Sequence, residues 1–185
     1  METLIENAAK TKWALDPSHS ELTFKVKHLM ITNVKGEFKN FMVEIDKEDF
    51  KKTSVKVQVD TSSINTNNTE RDNHLKSADF FDVENHARMT FESTSFKPLA
   101  DDKYILKGLL TIRGVSKEIV LDVDYGGTIK DPWGNEKAGF SFEGSINRKD
   151  WGLNWNAALE TGGVLVSDEV KISGEVQFVK QTGTV

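Results

Sequence analysis

Apolar residues recur at every second position along most of the chain, the period of a strand and not of a helix. Leu22, Phe24, Val26 and His28 alternate with Thr23, Lys25 and Lys27. Phe41, Val43 and Ile45 follow, after Val34-Lys35-Gly36-Glu37-Phe38; then come Val55, Val57 and Val59, and Met89 with Phe91. Tyr104, Leu106, Leu110 and Ile112 make a further set, followed by Ile119, Leu121 and Val123. Phe140, Phe142 and Ile146 precede a last set of Val170, Ile172, Val176 and Phe178. At least eight half-buried antiparallel strands are predicted, apolar on one face and wet on the other. Arg113-Gly114 and Asp131-Pro132-Trp133-Gly134-Asn135 read as turns, and Gly36, Gly108, Gly144 and Gly174 inside strand patterns predict bends or bulges.

One stretch breaks the alternation. Thr69 followed by Asp72 has the spacing of a helix-start capping box, with Asp for the usual Glu. A short helix is therefore predicted there, with Leu75 on its greasy face, and residues 46–52 are assigned a second helical turn. With 185 residues and no linker or repeat, a single domain over residues 12–180 is predicted, between tails at 1–11 and 181–185. Strand parity selects Leu22, Phe24, Val26, Phe38, Phe41, Val57, Phe91, Leu110, Leu121, Phe140, Phe142 and Ile172 as inward-facing. Leu75 and Phe80 join them from the helical segment. A sandwich and a closed barrel both fit this pattern; eight closed strands can surround one small ligand.

Composition sharpens the interior. Eleven Phe and four Trp against two Tyr suit a thick core or a greasy cavity, since Phe has no polar tip to satisfy. The net charge of −5 is spread along the chain with no basic stripe, which argues against a nucleic-acid partner. Without Cys, disulfides, thiolate metal sites and thiol nucleophiles are excluded. The start Met1-Glu2-Thr3-Leu4-Ile5-Glu6-Asn7 has acids where an export signal carries bases. A cytoplasmic location is expected from the sequence as written, and a periplasmic one if a leader has been removed.

Candidate chemistry is sparse. Nucleophile elbows, phosphate loops and dinucleotide fingerprints are missing. Asp72, Asp79, Asp82 and Glu84 cluster in sequence, the pattern of a solvated acidic face. His19, His28, His74 and His86 lack the short spacings of a metal site. No catalytic residue, metal or cofactor is assigned. Arg71 and His74 stand beside Leu75, Ala78, Phe80 and Phe81, an arrangement suited to an anionic lipid head at a pocket mouth; the alternative is Arg71 paired with Asp72 or Asp79. His28 shares the inward parity of its strand. Arg148 and Trp151, in Asn147-Arg148-Lys149-Asp150-Trp151-Gly152-Leu153, complete the head-group or mouth set.

The chain resembles the YceI family of bacterial lipid-binding proteins. The ordered motifs that carry the resemblance are Trp13-Ala14-Leu15-Asp16-Pro17-Ser18-His19-Ser20, Phe24-Lys25-Val26-Lys27-His28, Gly36-Glu37-Phe38, Arg71 to Phe81, Gly108 to Val115 and Ile146 to Leu153. Ala87 departs from a proline common in relatives. The resemblance implies an all-β, extended lipocalin-like eight-stranded antiparallel barrel with one or two short helices. It also implies a tunnel for a polyisoprenoid, an isoprenoid quinone or another long amphiphile as the bound ligand, and a homodimer. Slow release of such a ligand into water makes a transient membrane contact the expected route of exchange. Three function classes follow: a lipid carrier or sequestering protein, which is preferred; an enzyme acting on an isoprenoid or saccharide through His28, His74 or Asp72 at the barrel mouth; and a structural barrel filled by its own side chains.

Overall fold

Strands with one apolar face must bury that face together, and a sheet of many such strands does so by curling round its own interior. The computed structural model, which describes residues 13–157 and 165–181, follows this course. Among the described residues, eleven strands join one antiparallel sheet: β1 (Trp13–Leu15), β2 (Glu21–His28), β3 (Thr32–Phe38), β4 (Phe41–Ile45), β5 (Val55–Asp60), β6 (Ile64–Asn65), β7 (Arg88–Ala100), β8 (Lys103–Ile112), β9 (Val115–Lys130), β10 (Glu136–Asn147) and β11 (Val166–Lys180). Hydrogen-bonded neighbours run β4-β5-β7-β8-β9-β10-β11-β2-β3-β6, and β1 pairs with β11 off this path. The predicted tails lie outside the described residues, apart from Gln181.

The strand order requires closure. Passing from β3 through β2, β11, β10, β9, β8, β7 and β5 to β4 takes eight antiparallel steps, so β3 and β4 run in the same direction. Only Lys39 and Asn40 separate them, whereas side-by-side parallel strands need a crossover of about a dozen residues. They must therefore lie end to end as one interrupted strand, flanked by β2 along its first part and by β5 along its second. Ser63 braces the break: its hydroxyl accepts from the Asn40 N–H at 3.0 Å and its carbonyl from the Lys39 N–H at 3.2 Å. The wall thus has the eight strand positions of a lipocalin-like barrel, with β1 and β6 as short additions.

Register sets the predicted apolar positions on one face. Val26 pairs with Val34 and Val170, Leu106 with Leu121, and Val57 with Phe91. Of the four strand glycines, Gly108 adjoins a register shift, at Ser93/Ser95; the other shifts fall away from them, at Pro98/Ala100, Gly139/Phe140 and Val166/Val170. The glycines serve as floors for inward side chains on neighbouring strands. A Cβ at Gly36 would lie 2.3 Å from Cζ of Phe24, and one at Gly174 would lie 2.6 Å from Cζ of Phe142. Gly108 lies likewise under Phe91, and Gly144 under Leu121. Without a Cβ below them, these side chains lie down over the neighbouring strand while still bordering the interior.

The predicted helix is present as α1 (Thr69–Lys76), but its cap differs from the expected box. Asn68 caps it, accepting from the Arg71 N–H at 2.9 Å. Asp72 reaches back to Thr66 instead, accepting from its N–H at 2.8 Å and its hydroxyl at 2.5 Å. Residues 46–52 are a turn and not a helix. The Asp46 carboxylate accepts from the Ser54 N–H at 2.7 Å and the Thr53 hydroxyl at 2.9 Å, local bonds that outcompete helix formation. These bonds, the Ser54 N–H foremost, hold the Asp46 carboxyl below its ordinary value.

Candidate functional site

Inside the barrel lies a cavity of about 530 Å³, within the roughly 300–1,000 Å³ usual for small-molecule sites. The fourteen inward-facing residues named from the sequence all border it: Leu22, Phe24, Val26, Phe38, Phe41, Val57, Leu75, Phe80, Phe91, Leu110, Leu121, Phe140, Phe142 and Ile172. Several of them, including Leu22, Phe24, Val26, Phe41 and Val57, are only half-buried although they point into the barrel. The wall does not fill its own interior.

One end of the cavity is polar. Lys27 and His28 on β2 and Glu70, Arg71 and His74 on α1 border it there, with Thr66 between. Arg71 pairs with neither Asp72 nor Asp79. Its Nε donates to the Thr66 hydroxyl and its Nη2 to the Thr66 carbonyl, each at 2.8 Å, and Nη1 makes no hydrogen bond among the described residues. His74 Nε2 lies 2.9 Å from an Asp79 carboxylate oxygen, and its ring meets Trp155 and Phe80 edge-on at 4.6 and 5.1 Å between centroids. At the opposite end an aromatic cluster gathers round Phe50, whose ring lies 4.9 Å from both Trp13 and Phe140.

Two residues assigned to the mouth have other work. Trp151 does not border the cavity; it is buried in the core, and its indole N–H donates to the Leu110 carbonyl at 2.8 Å. A buried indole needs such an acceptor, and one is supplied by the facing strand. Left-handed Gly152 (φ 79°) then turns the chain, so that Trp155 rather than Trp151 reaches the cavity. Arg148 does touch the cavity, but it is only 3% exposed and spends its donors on backbone. Nε donates to the Ser167 carbonyl, Nη1 to those of Leu153 and Trp155, and Nη2 to that of Val166, over 2.6 to 3.3 Å. Burial lowers its pKa, opposed in part by Asp168. Arg148 is a clip between the segment after β10 and the start of β11, not a free cation for a head group.

Phe50 also borders the cavity, but it sits in a turn, outside any alternating run, where strand parity does not report it. An isolated aromatic among Asp49, Lys51 and Lys52 is the signal that could have marked it.

Three of the four clustered acids are engaged locally. Asp72 serves Thr66, Asp79 meets His74, and Asp82 accepts from the Asn85 amide. Asp16, Ser18 and His19 lie together, but both partners approach the same ring nitrogen, Nδ1, at 2.8 and 3.2 Å. A relay needs Asp on one imidazole nitrogen and Ser on the other, so this cluster is a turn lock; the Ser18 contact, followed by that of His19, lowers the Asp16 pKa.

The cavity wall can be tested directly. Gly36→Ala is expected to leave the fold intact and to tip the Phe24 ring into the cavity. Displacing one or two CH₂-sized volumes from a bound chain, at about 0.8 kcal/mol each, would weaken uptake of an apolar fluorescent probe about fivefold or more. Unchanged uptake with an unchanged melting temperature would show that the Phe24 ring does not set the cavity width.

Comparisons with known proteins agree with this architecture. The family model described as a YceI-like domain matches residues 13–178. UPF0312 protein SA2479 of Staphylococcus aureus is 42% identical over 91% of this chain and 97% of its own length, and UPF0312 protein SERP2314 of Staphylococcus epidermidis matches equally well. Among solved structures, the YCEI protein of Campylobacter jejuni superposes with a TM-score of 0.73 at 37% identity, over 85% of this chain and 91% of that one. A polyisoprenoid binding domain from Saccharophagus degradans shares the fold, with a TM-score of 0.67 at 15% identity over 92% of this chain and 99% of its own. From residue 13 to residue 178, then, the sequence motifs, the barrel and the relatives coincide, and the chain belongs to the YceI-like family.

Proposed function

We propose that this protein binds the hydrocarbon chain of one long amphiphilic lipid, a polyisoprenoid or an isoprenoid quinone, inside its barrel, and that it carries or sequesters that lipid without transforming it. The observation that carries the reading is the apolar cavity of about 530 Å³, several of whose inward-facing residues remain half-buried within a closed wall. A barrel packed for stability alone would fill that space, because unfilled volume costs contacts on every side. The polyisoprenoid binding domain that shares this fold supports the choice of ligand class.

The driving force is removal of hydrocarbon from water. Each CH₂ contributes about 0.8 kcal/mol, so an isoprene unit of five carbons supplies on the order of 3–4 kcal/mol before the cost of ordering the chain. Chain length and cavity shape then set specificity. The head group adds a smaller part at the polar rim, where Arg71 keeps Nη1 uncommitted and Lys27 stands nearby.

Native mass spectrometry of the purified protein, followed by organic extraction, tests this reading. The expected result is one lipid per barrel, lost in Phe24→Asp while the folded spectrum is retained. A charged carboxylate facing the bound chain costs several kcal/mol unless it takes up a proton, enough for about a hundredfold loss or more. A barrel that carries no lipid and takes up none when offered polyprenols would overturn the proposal.

A further inference from the structure

The polar rim of the cavity continues into a protruding hairpin. β2 and β3 are joined by Leu29, Met30 and Ile31, and the flanking residues His28 and Thr32 pair across the hairpin. All three loop residues are apolar and exposed, at 39%, 57% and 80%. Leu29 and Met30 also have positive φ, 54° and 63°, a conformation that favours Gly or Asn and penalises larger side chains. A turn selected only for hairpin stability would not place Leu and Met there. The tip stands at the cavity rim, since Lys27 and His28 border the cavity and the Leu29 N–H donates to the Leu165 carbonyl, beside a further cavity residue, at 2.9 Å.

The outer face behind this tip carries an unusual row of charge. Register sets Lys171 of β11 opposite Lys25 of β2, and Lys25 opposite Lys35 of β3. Lys27, one outward step nearer the tip, faces Asn33. Elsewhere on the barrel two lysines meet acids directly across the sheet: Lys56 pairs with Glu92 at 3.5 Å and Lys103 with Asp124 at 3.2 Å. Among the described residues, none of the four lysines near the hairpin has an ion-pair partner. Like charges placed directly opposite on a sheet are destabilising, and here they lie on a chain whose net charge is −5.

We infer that the β2–β3 hairpin is a membrane-docking element. Leu29, Met30 and Ile31 enter an anionic bilayer surface while Lys25, Lys27, Lys35 and Lys171 meet its phosphate-bearing head groups, and the cavity rim is brought against the lipid. Apolar residues at a tip backed by a row of bases are the composition of an interfacial anchor. The inference rests on the lipid-binding reading for its purpose: a chain drawn from a docked bilayer enters the barrel without crossing water.

Co-sedimentation with phosphatidylcholine vesicles, with and without about 30% phosphatidylglycerol, tests it on the full chain. Wild type is expected to bind the anionic vesicles and to be released by raised salt. Met30→Ser combined with Ile31→Ser should reduce binding tenfold or more, and Lys25→Glu combined with Lys35→Glu should abolish the preference for anionic lipid. Leu29→Asn combined with Met30→Gly gives the sharpest arm. It relieves the left-handed residues, so the melting temperature should hold or rise by a few degrees, while vesicle binding falls. Cavity occupancy is read by native mass spectrometry on the same samples; a cavity empty in the wild type as well would sink the lipid-binding reading and leave the vesicle result to stand alone. Wild type that ignores anionic vesicles, or binding insensitive to the tip and to the lysines, overturns the inference. So does a concentration-dependent dimer dissolved by the tip substitutions in place of vesicle binding, which would assign the hairpin to a second copy of the chain.

Discussion

Arg148→Ala is expected to destabilise the protein by about 3–5 kcal/mol, the range for stripping one partner from a buried charged hydrogen-bond network. The guanidinium is 3% exposed and donates to four backbone carbonyls, those of Leu153, Trp155, Val166 and Ser167. Removing it leaves those acceptors facing a void, and each unsatisfied buried acceptor costs about 1–3 kcal/mol. For a domain of this size a loss of 4 kcal/mol lowers Tm by roughly 8–16 °C. Arg148→Lys should rescue little, because an ammonium is a point donor and cannot span carbonyls on two segments. Thermal melts of both variants check the prediction; near-wild-type melting of Arg148→Ala would mean that the segment after β10 holds its position unaided.

Leu109 and Leu110 provide the second large effect, as a contrast between adjacent leucines. Leu110 borders the cavity and is 7% exposed, whereas Leu109 faces outward and is 43% exposed. Leu110→Asp should cost about 4 kcal/mol or more, combining the lost packing of a core leucine with the desolvation of a carboxylate. Leu109→Asp should stay within about 0.5 kcal/mol, as expected of a surface change. Denaturant titration of the two variants reads the difference. Equal costs would mean that strand β8 is turned or slipped in register, since a one-residue slip exchanges the two faces.

That contrast also marks what is legible in the chain. Strand parity is a local property, so the inward face of β2, β5, β8, β9 and β10 can be read from neighbours in sequence alone. The role of a residue that depends on distant partners cannot. Trp151 is core because the Leu110 carbonyl meets it across 41 positions. Arg148 is a clip because residues 166–168 return beside it. The strand glycines suggest bends or bulges until the side chain over each is known: a ring at Gly36, Gly108 and Gly174, and Leu121 at Gly144. Phe50 sits in a turn, where no periodicity reports its direction. The helix was visible, yet its capping partner was displaced by one residue, because Asp72 bonds to Thr66 outside the helix.

The ladder between β2 and β11 joins Thr23 to Ser173, residues 150 positions apart. Contacts of such sequence separation put the chain among slow, topology-limited folders, on the scale of milliseconds to seconds. During synthesis every other strand is made before β11 can close the wall. The nascent molecule therefore passes through a stage with the edges of β2 and β10 unpaired and the greasy lining open to solvent. That stage is where aggregation competes with folding, so the C-terminal strand governs not only the final barrel but the yield with which it is reached.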